Sequence, residues 1–161
     1  MAEKSVFQRG ITVGLIGAVT VAVWFFIIDL ALGRPLFTPA ALGSTFFLGI
    51  RDLAEVEVGV GTVLGYSAAH LLGFAALGML VVGLVTRARS RPNFLLALLL
   101  LFVVWQALFF GLLAIAAEFL LGALAWWSVA VGNFLAALTM GFYLWKGDPD
   151  LQEAVRRQPF E

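Results

Sequence analysis

Apolar residues in this chain come in long unbroken blocks, set apart by short polar punctuation. A hydrocarbon core of ~30 Å needs roughly 20 apolar residues in a helix that rises 1.5 Å per residue. Four stretches pass that length: Ile11–Leu32, Gly61–Thr86, Phe94–Leu121 and Ala123–Trp145. The pattern predicts an all-α integral membrane four-helix bundle over residues 1–147, followed by a short polar cytoplasmic tail, 148–161. Lys4 and Arg9 precede the first block as they would in a secretory leader. The run from Ile11 to Ile28 is longer than the usual ~7–15-residue leader core, and Ala31-Leu32-Gly33 is a poor cleavage site. It is read as a retained span.

The connection between the first two blocks is the one long interruption, and it is not simply polar. Thr38-Pro39 has the form of a helix start, a capping residue followed by Pro at the first position. Ala40 to Ile50 is too short to cross a bilayer, so an interfacial or re-entrant helix is expected there. Asp52, Glu55 and Glu57 follow and read as a solvated linker. Leu121-Gly122 predicts a tight turn that folds the third and fourth spans into an antiparallel hairpin.

Composition sharpens the picture. Of 161 residues, 62% are hydrophobic and 12% charged, against ~25% charged in a soluble domain. The chain has no Cys, which excludes disulfides, thiolate-held clusters and thiol catalysis. A formal net charge of +0 gives no reason to expect nucleic acid as a partner.

Cationic segments resist translocation, so their distribution orients the spans. Lys4, Arg9, Arg87, Arg89, Arg91, Lys146, Arg156 and Arg157 fall on one side, and only Arg34 and Arg51 on the other. That asymmetry predicts an N-in, C-in topology, with a bacterial inner (plasma) membrane as the expected host. Trp126 and Trp127 at one end of the last span, and Tyr143, Trp145 and Lys146 at the other, suit the two headgroup belts.

Small residues recur at four-residue spacing and should let another helix come close. One stripe is Gly10, Gly14, Ala18 and Ala22. A second is Gly61, Gly65, Ala69 and Gly73, and Asn133, Ala137 and Gly141 form a shorter third. Whether the neighbour belongs to this chain or to a partner is left open by the sequence.

Ionisable groups inside the spans are few. Asp29, His70 and Glu118 all fall in the outer half on the predicted topology. Together they are the candidate metal ligands or proton relay, and His70 alone is the candidate cofactor ligand. Interhelical hydrogen bonding or headgroup contact is the expected role of all three, with the Tyr66 phenol, four residues before His70, as a ready partner. A haem would need a second axial ligand beside the single histidine, from Met79, Met140 or a symmetric copy, and no spacing favours one. Gln106 and Asn133 are expected to hydrogen-bond between the third and fourth spans. No catalytic set and no phosphate-binding loop is present, so no enzyme activity, no metal and no cofactor is expected.

These features predict a non-enzymatic accessory or structural subunit, its partners being membrane lipid and other membrane helices in an oligomer or an energy-transducing complex. The alternative is a small transporter or channel, or a binder of lipid, quinone or pigment. It would use an outward-facing polar pocket around Asp29, His70 and Glu118, with Gln106, Ser128, Asn133 and Thr139 as a thin polar lining.

Overall fold

The computed structural model describes residues 5–88, 94–123 and 126–156, and among these no residue is in a strand. Four long helices carry the chain: α1 (Val6–Ala31), α3 (Val60–Ala88), α4 (Phe94–Ala123) and α5 (Trp126–Gly147). Two short ones lie between and after them, α2 (Phe37–Gly43) and α6 (Pro149–Arg156). Helices α1, α3 and α5 are long and apolar enough to cross a membrane. The predicted third span lies on α4, and several of its side chains, Glu118 among them, fall outside the described residues.

Helix α1 starts five residues ahead of the predicted span because Ser5 caps it, its hydroxyl accepting the Gln8 N–H at 3.2 Å. The inward face of α1 is made of small residues: Gly10, Val13, Gly14, Gly17, Ala18 and Val21 are buried. Large apolar side chains turn the other way. Leu72 and Leu108 are 72% and 65% exposed, and dozens of others share that orientation. A water-facing surface of this kind would be an aggregation hazard, whereas in a bilayer it is simply solvated. Small residues inside and bulky ones outside is the arrangement expected where lipid is the solvent.

The tightest helix pair is α1 with α3, which run antiparallel. A Cβ built on Gly10 would lie 2.6 Å from the Met79 Cα, and one on Gly14 would lie 2.7 Å from the Ala75 Cα. From the other side, a Cβ on Gly78 would lie 2.7 Å from the Gly14 Cα. Only glycine fits where two backbones touch. Helix α5 also runs antiparallel to α1. The Thr20 and Thr139 hydroxyls meet at 3.0 Å, and the Trp24 indole N–H donates to the Ser128 carbonyl at 2.8 Å. Helix α4 lies along α5 in the opposite sense, Phe102 against Phe134 at 6.5 Å between ring centroids and Gln106 against Asn133.

In two places the chain departs from the sequence expectation. The helix in the first connection starts at Phe37 and is continued by a single π-helical turn, Ser44–Leu48. Its preceding residue, Leu36, is left-handed (φ 64°) and makes no side-chain cap. Thr38 therefore lies inside the helix and does not cap it. The tail is also more than a polar end: α6 folds back and buries Leu151 in the cluster formed by Val82, Val85, Met140 and Leu144. Leu151 and Val155 are four apart and share one helix face, which a reading of charge alone overlooks.

Candidate functional site

Asp29 is fully buried near the end of α1. Its two carboxylate oxygens accept the Thr38 backbone N–H and the Thr38 hydroxyl, each at 2.7 Å. The carboxylate thus caps α2 from a neighbouring helix, supplying the acceptor that Leu36 lacks. With both oxygens engaged by one residue, Asp29 holds the first connection against the bundle. Next to it, the Arg34 guanidinium carbon lies 4.2 Å from the centre of the Phe37 ring, a cation–π contact.

His70 sits further along the same region, on the α3 face that meets α1. Its Nε2 lies 3.2 Å from the Ala18 carbonyl oxygen. A carbonyl can only accept, so Nε2 carries the proton and, in the neutral ring, Nδ1 is left as an acceptor. The expected Tyr66 hydrogen bond is replaced by ring contact. Tyr66 stacks on His70 with centroids 5.8 Å apart, and Phe74 lies on its other side at 4.7 Å. Positions 66, 70 and 74 fall on one helix face, and that spacing alone lines the rings up as a ladder.

Asp29 and His70 both line a cavity of about 250 Å³ between α1, α2 and α3, to which Phe109 of α4 and Val129 and Asn133 of α5 also contribute. The side chain of Glu118, the third predicted member, lies outside the described residues. Asp29 and His70 do not bond to each other: each is held by a different backbone neighbour. Among the described residues no group of three or more His, Cys, Asp or Glu side chains could hold a metal ion. Met79 packs on Gly10, and Met140 packs on Gly17 beside Phe74.

A second cavity, of about 470 Å³, lies between α3, α4, α5 and α6. Its walls are hydrocarbon and aromatic, including Phe74, Trp105 and Leu151. Asn133 lines both cavities, and its amide donates to Gln106 Oε1 at 2.6 Å. Ser128 is buried on α5, and the Thr139 hydroxyl donates to the Leu135 carbonyl at 3.0 Å beside the Thr20 hydroxyl. Of the small-residue positions, Gly10, Gly14 and Ala18 are buried, while Ala22, Gly61, Ala69 and Gly73 are exposed. Gly65 is covered in part by the Phe47 ring. What sequence reasoning missed is Gly17 and Gly78, which carry the close approach but fall outside a strict four-residue register.

Among the described residues the fold defines a class: an all-helical protein with three helices fit to cross a membrane and mostly apolar cavities between its helices. No family model, curated protein or solved structure matches the chain.

Proposed function

We propose that this chain is a four-span, N-in, C-in integral membrane protein of a bacterial inner membrane. In this reading it acts without catalysing a reaction or holding a cofactor, as an accessory subunit that packs against other membrane helices. Chain direction supports four spans. Helices α3 and α5 both run antiparallel to α1, so the segment joining the end of α3 to the start of α5 has to return across the bundle, and α4 is that segment. The cationic flanks of the sequence support a cytoplasmic side for both ends.

The observation that carries the packing role is the outward face of α3. One face of α3 meets α1 through Ala75 and Gly78, whereas Gly61, Ala69 and Gly73 are exposed. A Cβ built on Gly61 or Gly73 meets nothing within 4 Å. Small residues gain nothing against lipid tails but permit close approach by a helix. Mass measurement in mild detergent tests the reading. An oligomer or a co-purifying subunit is expected, reduced to a monomer by Gly73→Leu, and a strictly monomeric wild type would rule it out.

A second reading, transport through the smaller cavity, is favoured by the presence of both Asp29 and His70 on its wall. Flux into proteoliposomes separates the two, since His70→Ala would lower flux only if the cavity conducts.

A further inference from the structure

The smaller cavity holds more polar capacity than the protein uses. Tyr66, Ser67 and His70 all line it. Among the described residues neither the Tyr66 hydroxyl nor the Ser67 hydroxyl has a hydrogen-bond partner, and His70 makes its one bond through Nε2. The serine omission is unusual, because the helical threonines at 12, 20, 45, 86 and 139 all return their hydroxyls to the carbonyl four residues back. In hydrocarbon no bulk water is at hand to satisfy such groups, and leaving them bare is costly. Asp29 and Thr38, bonded to each other, and Asn133, bonded to Gln106, also line it, and the remainder of the wall is apolar, Phe25, Leu42 and Phe109 included.

We infer that this cavity binds a ring alcohol with a hydrocarbon tail, a phenol or quinol dissolved in the bilayer. The pattern of donors and acceptors selects that class. A hydroxyl on the ligand donates to His70 Nδ1, an acceptor fixed by the Ala18 carbonyl on the opposite ring nitrogen. The same oxygen accepts from the Tyr66 or Ser67 hydroxyl. A ketone or ether can only accept and leaves Nδ1 bare. The Tyr66–His70–Phe74 ladder and Phe109 offer flat aromatic surface to a ring. At about 250 Å³ the space suits a ring, the hydrocarbon tail remaining in the lipid. This site does not depend on whether the chain assembles with a partner.

The test uses the full chain in nanodiscs, with empty nanodiscs as the blank, and equilibrium binding of radiolabelled 4-nonylphenol and of its methyl ether, 4-nonylanisole. The phenol is expected to bind saturably at one site per chain, and the ether roughly tenfold or more weakly for loss of one buried hydrogen bond. His70→Phe keeps the ring and removes the acceptor, so it should bring the two probes to equal, weak affinity. Ala22→Trp, which adds bulk to the cavity wall from an exposed position on α1, should abolish both without touching the α1–α3 seam. Equal binding of phenol and ether by the wild type overturns the inference. So does binding no greater than that of empty nanodiscs, or a phenol preference that survives in His70→Phe.

Discussion

The Arg9 guanidinium lies 3.1 Å from the Asp148 carboxylate, joining the first turn of α1 to the residue just before α6. The same aspartate caps α6, its other oxygen accepting the Leu151 N–H at 3.1 Å. Residues 9 and 148 are separated by nearly the whole chain, so the contact brings its two ends to one face of the bundle. Asp148 is therefore both a helix cap and a clasp between the ends.

Asp148→Ala is expected to loosen α6 by about 1 kcal/mol, the usual cost of a lost cap. Limited trypsin digestion should then cut at Arg156 faster than in the wild type. Asp148→Asn keeps a capping oxygen and loses only the ion pair, a partly exposed contact of small worth, so its digestion should stay close to wild type. Equal rates for Asp148→Ala and wild type would mean that α6 is held by Leu151 alone.

The two glycine faces of α1 and α3 should respond in opposite ways to the same change. Gly14→Leu drives a side chain into the α3 backbone and should cost about 1–3 kcal/mol or more, read as an earlier thermal transition in detergent. Gly73→Leu meets nothing within 4 Å and should leave the transition of the single chain unchanged. A similar loss from both in the dissociated chain would contradict this difference, whereas a loss from Gly73→Leu confined to the assembled oligomer is what a partner helix on that face predicts.

The helices of the fold could be read from the sequence, because the length of an apolar block is a one-dimensional property. The three helices fit to cross a membrane begin and end within a few residues of their predicted blocks. The predicted seam fared unevenly for a physical reason. Four-residue spacing drifts around a 3.6-residue helix, so Gly17 and Gly78 enter the contact while Ala22 stays exposed. Asp29 and His70 stood out as polar groups in apolar blocks, but their partners did not. Thr38 and Ala18 are reached through tertiary packing, and the Ala18 partner is a backbone carbonyl, which leaves no trace in residue type.

Removing the cap on α2 should mobilise the first connection without unfolding the chain. In Asp29→Ala the Thr38 N–H and hydroxyl lose their acceptors, a change worth ~1–2 kcal/mol locally. Hydrogen exchange at Ala40, Ala41 and Ser44 should rise roughly tenfold, with little change along α1 and α3. Thr38→Val, which retains the backbone bond, should give a smaller effect. Exchange that rises equally throughout would show that Asp29 supports the whole bundle.

Between α4 and α5, the Gln106–Asn133 amide pair should contribute little. Interhelical hydrogen bonds in membranes average ~0.6 kcal/mol, so a double-mutant cycle with Gln106→Leu and Asn133→Leu should return a coupling of about that size from unfolding in detergent. A coupling above ~2 kcal/mol would mark this pair as the main tie between the two helices.

The central claim is a membrane bundle whose two ends share the cytoplasmic face, and the absence of Cys makes it directly measurable. Single cysteines at Gln8, Ala54 and Gly147, all exposed positions, are treated in intact cells with a membrane-impermeant maleimide. Labelling of Ala54→Cys alone is the predicted result, with Gln8→Cys and Gly147→Cys reacting only after the cells are opened. Labelling of Gln8→Cys or Gly147→Cys from outside, or failure of Ala54→Cys to label, would contradict it.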